Sequence, residues 1–198
     1  PVLIDIPKDV STKVIKEPPV HEKVVLRGYN PTYRGHKRQI EKALQLIAAA
    51  ERPVIYAGGG VIASNASAEL VDFATQLGIP IATTLMGLGC IPGDHPLNLG
   101  MLGMHGTEYA NFAITESDVL FSIGVRFDDR VTGKTDTFAP HAKIIHIDID
   151  PAEIGKNKRV DVPVVGDVKA VLQDMLSMLK KNGLTDPWLK KIKHWKQH

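Results

Sequence analysis

A chain of 198 residues with 43% hydrophobic and 23% charged side chains has room for one domain with tails, or two small ones, and an ordinary globular composition. Its 24 basic and 22 acidic residues leave a net charge of +2, which offers no electrostatic footprint for nucleic acid or a membrane surface. The single cysteine, Cys90, rules out an intramolecular disulfide and fits a reducing compartment, and no apolar run approaches the ~18 residues of a spanning helix.

The opening residues, Pro1-Val2-Leu3-Ile4-Asp5-Ile6-Pro7, form a buried-strand pattern stopped by proline. A strand at the very start has nothing to pair with, so the expectation is a piece of a longer polypeptide. Residues 1–34 then represent the end of a preceding domain and a linker, in which Pro18, Pro19 and Pro31 interrupt any helix. From Gly35 the pattern changes. Ile40, Ala43, Leu44, Ile47 and Ala48 fall on one helical stripe. Pro53-Val54-Ile55-Tyr56-Ala57 reads as a strand that runs straight into Gly58-Gly59-Gly60. Ser64 or Asn65 is placed to cap a helix that ends at Leu77 before Gly78.

Ile79 to Thr83 is a second strand, followed by a Gly-rich passage from Gly87 to Gly106 without a period of its own. Thr107 can cap a helix through Thr115; Asp118 to Ile123 is a third strand ending at Gly124. A polar loop from Arg126 to Pro140 leads to a fourth strand, Lys143 to Ile147, and Val162 to Val165 is a fifth. Gly166-Asp167 opens a helix carrying Val168, Val171, Leu172, Met175 and Leu179. Strands apolar on both sides and separated by helices imply an open, doubly wound, Rossmann-like α/β domain with helices on both faces, over residues 35–181. Residues 182–198, with Pro187, Trp188 and Trp195, read as a linker towards an absent C-terminal domain. Their lysines, Lys190, Lys191, Lys193 and Lys196, read as a solvated helix face.

Ligands of open parallel sheets bind beyond the carboxyl ends of the strands, so the residues after each strand are the candidates. The Gly58-Gly59-Gly60 triplet lets backbone N–H groups approach a phosphate, although a plain tight turn accounts for it equally well. It is not the G-x-G-x-x-G fingerprint, because Ala63 stands where the third glycine belongs. Thr84, Leu85 and Met86 follow the second strand. Arg126, with Phe127-Asp128-Asp129-Arg130 behind it, either forks onto a pyrophosphate or joins a surface salt-bridge network. Asp148 has the usual position of a ribose-binding acid, while Asp150, Pro151 and Glu153 fit a helix-starting capping box. Gly166 and Asp167 either edge an adenine or cap the next helix. Met104 and His105, between Gly103 and Gly106, suit a flat aromatic ligand better than a metal. No strand end offers a nucleophile–base–acid set or a P-loop.

Four runs carry a resemblance to a known family: Thr83-Thr84-Leu85-Met86-Gly87-Leu88-Gly89, Met101 to Thr107, Gly124-Val125-Arg126-Phe127-Asp128-Asp129-Arg130-Val131-Thr132-Gly133-Lys134, and His146 to Asn157. Together they resemble the catalytic subunit of acetohydroxyacid (acetolactate) synthase, and the likeness extends over nearly the whole chain. The resemblance implies the FAD-carrying central domain of a three-domain, thiamine-diphosphate- and Mg²⁺-dependent carboligase that condenses two pyruvates, or pyruvate and 2-oxobutyrate, in branched-chain amino-acid biosynthesis. It places flavin contacts at Gly58, Gly59, Gly60, Thr84, Leu85, Met86, Met104, His105, Gly106, Gly124, Arg126, Asp129, Asp148, Ile149, Asp150, Glu153, Gly166 and Asp167. It places a substrate channel that also takes herbicides at Lys8, Met104, His105, Asp129 and Arg130. It puts the catalytic glutamate and the Mg²⁺–diphosphate site outside this chain, so no catalytic residue is expected here. It further implies flanking domains, a homodimer or homotetramer, a regulatory subunit, and a location in the bacterial cytoplasm or a eukaryotic plastid or mitochondrion. The alternatives are the same domain of a sister carboligase and a non-catalytic interdomain scaffold.

Overall fold

The computed structural model describes residues 3–17, 31–179 and 186–197, and the chain divides into two compact units, Pro1–Asn30 and Pro31–His198. The described part of the first unit holds one helical turn, α1 (Lys8–Ser11). Leu3, Ile4 and Ile6 belong to no strand and are exposed. The strand expected over Val2–Ile6 therefore does not form over its described part: among the described residues of this unit no second strand stands ready to take its hydrogen bonds. Pro1, Val2, Pro18 and Pro19 lie outside the described residues, as does the 181/182 boundary.

The second unit is built on six parallel strands: β1 (Pro53–Ala57), β2 (Ile81–Thr83), β3 (Asn98–Met101), β4 (Val119–Ile123), β5 (Lys143–Asp148) and β6 (Val162–Val165). Their order is β3-β2-β1-β4-β5-β6, with Ala57 in register with Thr83 on one side and Ile123 on the other. The chain thus leaves β1 outward through β2 and β3, then returns to lay β4 against β1's other side. That reversal opens a crevice at the carboxyl ends of β1 and β4.

Alternation along the strands separates two cores. Ile55, Ile81, Phe121, Ile145 and Val164 face α2 (Lys37–Ala48), α4 (Ser67–Leu77) and α7 (Val168–Met178). Val54, Tyr56, Ala82, Leu120 and Ile144 face α5 (Glu108–Glu116), α8 (Asp186–Trp195) and the loop residues Val125, Phe127 and Phe138. The first core is mainly aliphatic; the second is rich in aromatic rings. The predicted stripe of α2 holds at Ile40, Ala43 and Ile47, which are buried, whereas Ala48, in the last turn, is exposed.

Four sequence expectations are corrected. Neither Ser64 nor Asn65 caps α4. A separate short helix, α3 (Gly59–Ala63), ends at Ser64, and Asn65 takes a left-handed φ of 52° to turn the chain into α4. The Gly-rich passage contains β3, whose alternation fails because Gly100 occupies a ladder position and only Leu99 is fully buried. Asp150 and Glu153 do not open a helix. The Asp150 carboxylate accepts from the Ala152 N–H at 2.9 Å, one residue too early for a capping box, and Glu153 turns to Lys156 at 2.9 Å. The tail is not a free linker segment where it is described. α8 buries Trp188 and Ile192 in the aromatic core, and the Trp188 indole N–H donates to the Pro53 carbonyl at 3.2 Å. Lysines of the tail are engaged as well: Lys191 pairs with Glu116, and Lys196 donates to the Asn98 and Pro96 carbonyls at 2.6 and 3.2 Å. Other expected caps are present. Thr107 accepts from Ala110, Asp167 accepts from Ala170, and Gly78 ends α4 at φ 69°.

Candidate functional site

At the carboxyl edge of the sheet lies a cleft of about 690 Å³, within the range of small-molecule sites. Its floor is a backbone interlock. The Gly58 N–H donates to the Ile123 carbonyl at 2.9 Å and the Gly60 N–H to the Gly124 carbonyl at 3.1 Å. A Cβ on Gly58 would stand 2.2 Å from the Gly124 oxygen, and one on Gly60 would stand 2.6 Å from the Gly124 Cα. Two members of the triplet are therefore glycine because β1 and β4 turn against each other. Gly59 differs, since a Cβ there would meet only Met86, at 3.0 Å. Gly59 faces the cleft.

The walls come from the following strand ends. After β2, Thr84 accepts from the Gly87 N–H at 3.0 Å and holds a single 3₁₀ turn, which leaves Leu85 and Met86 68% and 73% exposed at the cleft. After β4, Gly124 at φ 58° swings the chain outward, Val125 and Phe127 are buried, and the Arg126 side chain lines the cleft. No described carboxylate lies within ion-pair distance of Arg126. The salt-bridge network considered for this loop reduces to Arg130 and Asp129, 3.9 Å apart and both 86% exposed. Asp128 instead caps α6 (Asp129–Thr132), and the Arg130 N–H is the first cause holding its carboxyl below the usual range. After β5, Asp148, Asp150 and Glu153 line the cleft. One Asp148 oxygen accepts from the Asp150 N–H at 2.9 Å, and burial raises the Asp148 pKa. Glu153 has a second oxygen, Oε2, that is buried without a partner, an acceptor that awaits a donor.

An aromatic cluster supports these walls from beneath. Phe127 packs against Tyr56, Phe138 and His146 at centroid distances of 6.0, 6.2 and 5.1 Å. His146 is buried, and desolvation lowers its pKa. The ring is thus neutral, with Nε2–H donating to the Val125 carbonyl at 2.8 Å. Burial, with Asp128 second, raises the Tyr56 pKa, so the phenol keeps its proton.

The structure gathers Gly59, Gly60, Thr84, Leu85, Met86, Gly124, Arg126, Asp148, Asp150 and Glu153 around one cleft. Gly58 lies in its floor. Met104 and His105 are exposed in a loop where a Cβ on Gly103 would stand 3.4 Å from the Val131 Cα of α6, and Gly106 closes that loop against Met101 and Leu102. Ile149 is 42% exposed beyond β5. Asp167 has both oxygens engaged, one with the Ala170 N–H and one with the Ser64 hydroxyl at 2.7 Å. A Cβ on Gly166 would stand 2.8 Å from the Val171 side chain and 2.9 Å from the Gly35 nitrogen. Lys8 opens α1 in the first unit. Cys90 is buried, its thiol pushed up to about 11 by desolvation. Among the described residues no set of three or more His, Cys, Asp or Glu side chains is arranged for a metal ion, and no helix is long and apolar enough to cross a membrane. Tyr56, Val125, Phe127, Asp128 and Val131 also line the cleft without having been singled out for it. Tyr56 reads as a strand residue and Phe127 as part of the polar loop behind Arg126, so neither carries a signal of its own as a lining residue.

The family model "Thiamine pyrophosphate enzyme, central domain" matches residues 40–175, which is most of the chain and all six strands. The chain belongs to that family. Among its relatives, a probable acetolactate synthase large subunit from Methanocaldococcus jannaschii is 59% identical over 97% of this chain and 33% of its own length. An acetolactate synthase large subunit from Buchnera aphidicola is 48% identical over the whole chain and 35% of its own length. An acetolactate synthase from Mycobacterium bovis is 55% identical over 90% and 29%. The chain therefore spans about a third of the length of the curated relatives it matches, and corresponds to the central domain of such a large subunit.

Proposed function

We propose that this central domain carries FAD, extended across the sheet edge, within an acetolactate synthase. One observation carries the proposal: three kinds of chemistry follow one another along the strand ends. The carboxylates Asp148, Asp150 and Glu153 stand after β5, where they suit ribose hydroxyls and would repel phosphate. Gly59 and Arg126 stand at the β1/β4 crevice, where they suit a pyrophosphate. Leu85 and Met86, apolar and exposed, stand after β2, where they suit a flat ring. Strands repeat about every 4.8 Å, so β5 to β2 spans roughly 14 Å, matching a dinucleotide laid across the edge rather than a mononucleotide in one loop.

The residues fit the cofactor on structural grounds. Glu153 Oε2 lacks a donor, and Arg126 lacks a described carboxylate. In the reaction proposed for the parent, FAD supplies shape and binding surface and no net redox change. This chain's own part is to bind and orient: Arg126 neutralises phosphate charge, Asp148 and Glu153 accept from sugar hydroxyls, and Tyr56, Phe127 and Val125 exclude water beneath. The exposed Met104–His105 loop and Asp129–Arg130 then border the substrate channel. The parent condenses pyruvate with pyruvate or 2-oxobutyrate, using thiamine diphosphate and Mg²⁺ held by flanking domains in a homodimer or homotetramer with a regulatory subunit. The names of the relatives favour this parent over a sister carboligase.

Titration of this chain with FAD, followed by flavin fluorescence, tests the reading beside an Arg126→Ala variant. Saturable binding weakened at least tenfold by the substitution is expected, since a charge-assisted bidentate contact is worth about 1.5–3 kcal/mol. Equal affinity would remove the phosphate assignment. The chain alone should form no acetolactate from pyruvate, thiamine diphosphate and Mg²⁺, and product formation would contradict the placing of catalysis outside it.

A further inference from the structure

The backbone that delivers Arg126 to the cleft is held from the far side by side chains that do not themselves line it. Three successive carbonyls leave β4, and each accepts from a side chain across the loop: Val125 from His146 Nε2 at 2.8 Å, Arg126 from Asn157 Nδ2 at 3.0 Å, and Phe127 from the same Asn157 nitrogen at 3.3 Å. One primary amide has two hydrogens, so Asn157 can serve both carbonyls at once. Phe127 needs that support, because its φ of 47° lies in the left-handed region that a bulky residue avoids by about 1–2 kcal/mol. A relaxed Phe127 would rotate the peptide that joins it to Arg126 and carry the guanidinium with it.

Asn157 also belongs to the turn that brings Asp150 and Glu153 to the cleft, four residues after Glu153. One face of the 150–157 turn thus offers carboxylates to the sugar end of the site, while its last residue grips the loop at the phosphate end. Lys158, next in sequence, pins the far part of the same loop by donating to the Thr135 and Phe138 carbonyls, both at 2.7 Å. Asn157 is exposed, and its two hydrogen bonds reach residues 30 and 31 positions away in sequence.

We infer that Asn157 is a positioning residue for the dinucleotide: it acts through Arg126, holding the loop after β4 so that the guanidinium meets the phosphates. The inference rests on the FAD-binding reading above and deepens it. Its test is a double-substitution cycle in the 198-residue chain, with Arg126→Ala, Asn157→Ala and both together, each titrated with FAD and each checked by thermal unfolding.

Asn157→Ala should weaken FAD binding about five- to tenfold, in keeping with two lost neutral hydrogen bonds, while the unfolding temperature stays within a few degrees. In the Arg126→Ala background the same change should cost nothing further. Asn157→Asp keeps the shape but turns a carboxylate onto two carbonyl oxygens, and should weaken binding more than Asn157→Ala. Wild-type affinity in either Asn157 variant overturns the inference, as does an undiminished Asn157→Ala loss when Arg126 is already absent. No FAD binding by the wild-type chain would instead overturn the reading on which it rests. The two failures are therefore separable.

Discussion

Replacing Gly124 by alanine probes the interlock beneath the cleft. Two costs combine. The residue sits at φ 58°, which charges any side chain about 1–2 kcal/mol. Its new Cβ would also lie 2.6 Å from the Gly60 Cα and 3.0 Å from the Gly60 carbonyl carbon and nitrogen. These are backbone atoms and cannot rotate aside. Gly60 is itself bonded to the Gly124 carbonyl at 3.1 Å, so relief means parting β1 from β4, and forced repacking of this kind costs about 1–3 kcal/mol. The expected loss is about 2–5 kcal/mol in urea unfolding followed by far-UV circular dichroism. Gly89→Ala is the matched control. Gly89 has φ 91°, but nothing stands within 4 Å of its Cβ position, so only the backbone cost of about 1–2 kcal/mol applies. If Gly124→Ala proved no more damaging than Gly89→Ala, the close approach of the two turns would be wrong.

Two further outcomes follow from the packing and the titration of buried groups. Trp188→Ala should cost about 3–5 kcal/mol, because the indole is 3% exposed and bonded to the Pro53 carbonyl; a loss under about 1 kcal/mol in thermal unfolding would mean that α8 is not seated on the sheet. His146 is held neutral by burial, with a folded pKa below the ordinary 6.5. The unfolded chain therefore takes up that proton more readily, and stability falls as pH drops through about 6.5 towards the folded value. Asp148 acts with the opposite sign at lower pH, since its folded pKa is raised. His146→Gln removes the titration and keeps a donor for Val125, so its urea midpoint should shift less than that of the wild type between about pH 7.5 and 5.5. Identical shifts would refute the assignment.

The strands most plainly legible are those whose residues are buried on both faces. Val54 to Ala57, Leu120 to Ile123 and Ile144 to Ile147 are apolar almost throughout because helices cover each side. β3 was hidden because an edge strand with Asn98 and Gly100 lacks that signature. Cap reading succeeded where the cap is local, as at Thr107 and Asp167, and failed at Ser64, whose hydroxyl works across elements: it donates to Asp167 and accepts from the Lys169 N–H at 2.9 Å. The cleft could be anticipated because every parallel strand ends at the same edge, so Arg126 and Asp148 had to be near neighbours there. Asn157 could not be assigned a role, since a clasp joining residues 30 apart depends on how two loops fold back rather than on any local pattern.

The concentration of rings on one side of the sheet has a spectroscopic consequence. The chain has two tryptophans, Trp188 and Trp195, and both ride on α8 with their rings 5.8 Å apart at right angles. Tryptophan emission therefore reports on the seating of a single helix and is silent about the aliphatic core under α2, α4 and α7. A denaturation curve followed by emission traces the departure of α8, and it coincides with one followed by backbone ellipticity only if that helix leaves together with the sheet.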